Sequence, residues 1–280
     1  MNTGIHDVWG VACLESTVYW ISQPSDVIQA ASMGTRPTYC WYITIKGMKN
    51  PRDIACSSLT SNIYVADCEG DCVWLVKNEI DTEKWLHGVG RPRALSVTPG
   101  DRILILSSNG RLFLYGSDRQ HLTAVELPND LQRPRHALEL DENRFVVCCS
   151  VNTLSHKRMH RYLYRPYRRE GPVVAEILQR YHRYNHSRQY VGKTYGRVKG
   201  RNPGHLNRPL HLACDDDGWI FVADTDNSRV LLIDRNLNLH RILMSTDDDG
   251  QIKPYRLCYV KESGRLLIAC ERQILVYRIR

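Results

Sequence analysis

The stretch Gly204 to Asp234, GHLNRPLHLACDDDGWIFVADTDNSRVLLID, reads as three short strands: Leu210 to Cys214, Trp219 to Ala223 and Val230 to Ile233. Turn chemistry separates them. Asp217-Gly218 accepts the positive φ of a tight hairpin, and Asp224 and Asn227 can bond neighbouring backbone around Thr225-Asp226-Asn227-Ser228. Pro209 fixes the angle at which the chain enters the first strand. A unit this small cannot cover its own apolar faces, so it is stable only when several copies pack around a common centre.

Copies recur along the chain, marked by Pro51, Pro92, Pro134, Pro209 and Pro254, with Val8 in the corresponding place of the opening segment. Most intervals are about 41 to 45 residues, the period of a four-stranded propeller blade. The gap of about 75 residues after Pro134 is too long for one blade and too short for two, which predicts one blade with an insertion of about 30 residues. Six units result. The expected fold is an all-β, six-bladed β-propeller of NHL-like repeats, with 1–280 as one domain and a basic Arg/Tyr-rich insertion, 152–200, within blade 4. In blade 4, Ala137 to Leu140 and Phe145 to Cys148 are the first strands, Tyr162 to Tyr164 a candidate third strand and Val191 to Gly196 the outer edge. Val173, Val174, Ile177, Leu178 and Tyr181 make an apolar stripe at helical spacing that could equally form the outer strand. The sixth unit ends with Ile274 to Ile279 and lacks a fourth strand after it, so Met1 to Ile5, or a preceding segment of a longer protein, is expected to close it.

Arg208-Pro209, Asp217-Gly218, Val222-Ala223-Asp224 and Asn227-x-Arg229-Val230 together resemble the NHL repeat, a propeller-blade motif. Tyr64-Val65-Ala66-Asp67 repeats the middle of the pattern in the second unit. The resemblance implies a bracing ion pair between Asp224 and Arg229, with Asn227 and Asp67 in the same structural motif. It also implies a binding module for a protein or peptide, such as the substrate-recruiting part of a tripartite-motif ubiquitin ligase, whose RING, B-box and coiled-coil segments are not among these residues. Some NHL domains bind single-stranded RNA on an electropositive face, and propellers of the gluconolactonase type are metal-dependent lactonases.

Composition narrows the class. At 280 residues and 42% hydrophobic content the chain can bury a large core. No window approaches the roughly 20 apolar residues of a membrane span, and MNTGIHDVWG lacks a basic start and apolar core, so a cytoplasmic protein without membrane contact is expected. The ten cysteines fall mostly at small-residue strand positions of the repeat and read as buried free thiols. Cys68 and Cys72 are near enough in sequence to share a metal but lack two further ligands, so neither metal nor other cofactor is expected.

The net charge of +8 is unevenly placed. From Lys157 to Arg201 there are 13 Lys or Arg against Glu170 and Glu176, interleaved with tyrosines in a pattern that suits phosphates and unpaired bases. A second basic set follows the repeat: Lys49 and Arg52, Arg91 and Arg93, Arg133 and Arg135, Arg208, Lys253 and Arg256 flank the blade-opening prolines, with His136 and His211 two residues after theirs. Propeller symmetry places equivalent positions around one end of the central channel, where they would attract acidic peptide or nucleic acid. The competing expectation is that these arginines pair with Asp67 or Asp224 of adjoining blades.

No Gly-rich phosphate loop, G-x-S-x-G elbow or H-E-x-x-H motif is present. The first strands offer Ala12, Ala55, Ser96, Leu138, Ala213 and Cys258 or their neighbours to the channel, with Glu139 the one carboxylate, which is poor equipment for a metal-dependent hydrolase. The sequence therefore reads as a non-enzymatic propeller for protein or acidic peptide, with single-stranded RNA the alternative and a lactonase-like enzyme the third.

Overall fold

The structure, a computed structural model, describes residues 7–23, 25–34, 40–128, 131–142, 144–149, 172–181, 187–196, 198–245 and 252–279. The chain forms six antiparallel sheets, each from consecutive strands. Their inner strands are Val8–Leu14, Pro51–Ser57, Pro92–Val97, Pro134–Asp141, Pro209–Cys214 and Arg256–Val260. Each inner strand packs against the next, and the sixth packs against the first, so the circle closes into a six-bladed β-propeller. Val8 N–H donates to the Glu271 carbonyl across that closure at 3.2 Å.

The burial pattern explains why the strands read as they do. Second strands such as Ile103–Ser107 and Ile220–Asp224 are buried at every residue, because both faces of a blade are covered by neighbouring blades. Outer strands such as Asp81–His87 bury little beyond one anchor, Trp85, and turn their charges to water. Between blades 1 and 2, Ile21 and Ile28 pack with Ile54, Ile63 and Val65; between blades 3 and 4, Leu104 and Leu112 pack with Phe145 and Val147. Each such side chain contributes about 1.5–3 kcal/mol on burial.

Blade 4 differs from the sequence expectation. Its third strand is Val173–Tyr181 and its fourth is Ser187–Gly196. Val174 pairs with Cys148, so the apolar stripe serves as strand and not as helix. Tyr162 to Tyr164 lie outside the described residues, as does most of the first half of the expected 152–200 insertion; its second half supplies the blade's own outer strands. Blade 6 has three strands among the described residues, with Ile274–Arg278 at the edge and Val276 and Tyr277 exposed. The proposed closure by Met1 to Ile5 falls outside the described residues. Among the described residues no helix is long and apolar enough to cross a membrane.

The expected brace is present in blade 5. Arg229 Nε lies 2.7 Å from Asp224 Oδ2, and both side chains are buried. Asp224 also accepts from Asn207 N–H at 2.6 Å and Asn227 Nδ2 at 2.7 Å, while Arg229 donates to the carbonyls of Arg201 and His205 at 2.6 and 2.8 Å. Asp67 has the same position in blade 2 without an arginine. It accepts instead from the backbone of Lys49 and Asn50, at 3.0 and 2.9 Å, and from Trp74 Nε1 at 3.2 Å. Both carboxylates thus tie the end of the second strand to the segment leading into the blade.

Candidate anion-binding mouth of the central channel

The register of the first hairpin slips by one residue at the start of five blades. The slips fall between Val8 and Gly10, Pro51 and Asp53, Pro134 and His136, and Pro209 and His211, and in blade 3 between Pro92 and Ala94. The residue skipped each time is Trp9, Arg52, Arg135, Leu210 or Arg93. A bulge residue is released from the ladder and its side chain is re-aimed. All five line one cavity of about 500 Å³ at the channel mouth, completed by Asp7, Val8, Arg208, Tyr255 and Arg256. Blades 2 to 6 therefore each send a guanidinium to this cavity, and blade 1 supplies Asp7 and Trp9.

Of the basic residues expected on this face, Arg52, Arg93, Arg135, Arg208 and Arg256 line the cavity. Lys49, Arg91 and Arg133 are exposed and Lys253 is half-buried, and none of the four lines it. Arg91, Arg133 and Arg208, each before a blade-opening proline, have φ of 57°, 52° and 59°, a left-handed backbone that costs a non-glycine residue about 1–2 kcal/mol. The expected pairing with neighbouring aspartates is limited: Arg208 Nη1 lies 3.5 Å from Asp226 Oδ1, and Asp224 is taken by Arg229. Arg52 lies over the Trp9 ring, 4.8 Å from its centroid. Burial, reinforced by the nearby charges of Arg93, Arg208 and Arg133, lowers the pKa of Arg135. Mutual repulsion of this kind is relieved by a bound anion.

Beneath the mouth, the residues one step further along the strands form a buried cluster. Asp53, from blade 2, has Oδ2 3.7 Å from Nε2 of both His136 and His211, and Oδ1 3.8 Å from Arg256 Nε. The two imidazoles lie 3.7 Å apart, tilted by 35°. The small side chains at the equivalent positions, Gly10 and Ala94, pack instead among interblade apolar groups. Asp53 is held by N–H groups of Leu95 and Ile54 at 3.0 and 3.1 Å. Arg256 donates to the carbonyls of Tyr255 and Arg52 at 3.0 and 3.3 Å. Burial raises the Asp53 pKa against the pull of Arg256 and His136. Burial pushes both histidines well below their ordinary range; His211 adds to the effect on His136, and Arg256 acts on both.

Asp53, His136 and His211 have the composition of a divalent-metal site, their ligand atoms lying within 4.8 Å of one another. Their hydrogen bonds do not fit that role. Leu257 N–H donates to His211 Nδ1 at 3.3 Å, which leaves the proton on Nε2. His136 Nε2 lies 3.2 Å from the Leu95 carbonyl, an acceptor, so this nitrogen also carries its proton, and His136 Nδ1 is buried without a hydrogen-bond partner among the described residues. Both nitrogens that face Asp53 carry protons and offer no lone pair to a metal. At 3.7 Å the imidazoles, like Arg256 at 3.8 Å, act on the carboxylate through charge and dipole, while its hydrogen bonds come from the Leu95 and Ile54 N–H groups.

Sequence reading placed His136 and His211 beside the ring but missed Asp53. The signal was available, since Asp53 stands two residues after Pro51 as the histidines stand after theirs. Glu139, expected to be the channel carboxylate, instead pairs with Arg102 at 2.8 Å. Cys68 and Cys72 are free thiols, each near a different acceptor, the Arg91 carbonyl and Asp67 Oδ2, both at 4.0 Å.

No family model matches the chain, and no curated protein is similar to it in sequence. Many solved structures share the fold. A gluconolactonase from Xanthomonas campestris has a TM-score of 0.68 at 10% identity, over 98% of this chain and 86% of that one. Virginiamycin B lyase from Staphylococcus aureus has 0.61 at 11%, over 100% and 87%, and the WD40 propeller domain of Doa1 has 0.63 at 12%, over 100% and 96%. This chain is a β-propeller like them, and at such identities the likeness concerns the fold alone.

Proposed function

We propose that this protein is a non-enzymatic recognition propeller whose arginine-lined channel mouth captures an acidic segment of a partner protein. The observation that carries the reading is that Arg52, Arg93, Arg135, Arg208 and Arg256 line one cavity in which Asp7 is the only acidic residue among the described residues. Guanidinium groups gathered in a half-buried cavity bind carboxylates and phosphates through paired N–H donors and accelerate their capture. In the tripartite-motif setting that the NHL resemblance implies, such a face would select the protein to be modified. The alternative occupant is single-stranded RNA, favoured by Trp9 and Tyr255, whose rings could stack on bases beside the arginines.

Titration of the full chain with fluorescent glutamate-rich peptides and with a single-stranded oligoribonucleotide tests the proposal. Peptide binding that is lost in an Arg93→Glu/Arg135→Glu variant of unchanged melting behaviour is the expected result. Binding unaffected by that double reversal would remove the mouth from the proposal. Preference for the oligonucleotide, with a steep salt dependence, would favour the RNA reading.

A further inference from the structure

We infer that the group entering the channel mouth is a phosphate monoester on a partner side chain, in preference to a carboxylate; this rests on the acidic-partner reading above. The argument is geometric. Arginines of five blades line the cavity, so cationic side chains surround it from most of the way around the axis. A carboxylate presents two oxygens in one plane and is saturated by one or two forked arginines. A phosphate monoester carries about −1.5 to −2 charge and three terminal oxygens in tetrahedral directions, so donors from several sides can share it.

The sixth position discriminates further. Blade 1 offers Asp7 and Trp9 where the others offer arginine. An extended run of carboxylates laid across the mouth would bring one of them against Asp7. A single compact dianion can sit toward blades 2 to 6 with its stem beside Trp9, which Arg52 already covers from one side at 4.8 Å. Below it, the Arg256 guanidinium is fixed in place by two backbone carbonyls, with Asp53 facing its Nε at 3.8 Å.

The test uses the full chain and two fluorescent peptide pools with degenerate flanks, one centred on phosphoserine, phosphothreonine or phosphotyrosine and the other on glutamate. The phosphorylated pool should bind at least about tenfold more tightly, with inorganic phosphate as competitor. The preference should vanish in Arg93→Ala/Arg135→Ala and persist in Lys261→Ala, at the far end of the Arg256–Val260 strand. Arg93→Lys/Arg135→Lys keeps the charge but removes the fork, and it too should lose the preference; if the alanine variant fails to fold, this variant decides. Equal affinity for the two pools, or a preference that survives the lysine variant, overturns the inference and leaves the acidic-partner reading standing. Binding of neither pool overturns both.

Discussion

The imidazole rings of His136 and His211 face each other with centroids 3.7 Å apart, although they belong to different blades. Both are buried in contact with Asp53, and their protonated forms are disfavoured by burial and by Arg256. An unfolded chain would take up protons at these residues near the ordinary histidine pKa of about 6.5, whereas the folded chain resists. Stability is therefore full above that pH and falls as the pH drops below it. Asp53, whose pKa is raised, works in the opposite direction, nearer the carboxylate range. Thermal melts at pH 7.5 and pH 5.5 should show a lower midpoint at the acid pH, and His211→Gln should flatten that dependence. A midpoint unchanged between the two would contradict the assignment of buried neutral imidazoles.

The tautomers set by Leu257 and Leu95 put a proton on each imidazole nitrogen that faces Asp53, so zinc should leave the melting midpoint where it is. A rise of several degrees with zinc that disappears in His211→Ala would make these residues metal ligands after all. Asp53→Ala removes the carboxylate facing Arg256 and should cost about 3–5 kcal/mol, as expected when one partner of a buried charge pair is lost. Denaturant unfolding measures this directly.

The arginines at the mouth should act as one anion site. Arg93→Ala/Arg135→Ala should weaken acidic-peptide binding. Sulfate should raise the wild-type midpoint more than that of the double variant, because it binds only the folded mouth. Equal responses would show that the arginines do not act as one site.

In the Asp224 and Arg229 brace, Nε, Nη1 and Nη2 of the arginine each donate to an acceptor. Arg229→Ala leaves a buried carboxylate without its cation and should cost about 3–5 kcal/mol. Trp74→Phe removes one N–H donor to Asp67, which keeps its backbone partners, together with part of a ring packed in the interblade core, and should cost about 1–3 kcal/mol. Urea denaturation of the two variants separates these expectations.

Cysteine chemistry is set by burial. Cys13, Cys148, Cys214 and Cys270 have their thiols pushed up to about 12, and Cys72 to about 11, by desolvation first. Cys40 is the exposed thiol. A chromogenic disulfide reagent at pH 8 should find one fast-reacting group in the native chain, absent in Cys40→Ser. Several fast groups would contradict the buried or half-buried placement of the others.

Much of this architecture was written in local chemistry. The proline-marked period, the Asp-Gly turn and the short apolar runs each act within a few residues, so six similar sheets are legible in them, while the Asp224–Arg229 pair was what the resemblance to the NHL repeat implied. At Val173–Tyr181 the sequence left helix and strand open, because an apolar stripe of that spacing suits both equally, and pairing with Arg144–Cys149 decides for the strand. Sequence could also place arginines near the channel, but not choose which of them enter it. Bulges free Arg52, Arg93 and Arg135 from their ladders, while Arg208 and Arg256 enter without one and the exposed Arg91 and Arg133 stay outside the cavity. The meeting of Asp53, His136, His211 and Arg256 was beyond local reading for the same reason. Four residues from four blades become neighbours only when the ring closes, and their charge states follow from the water that closure excludes.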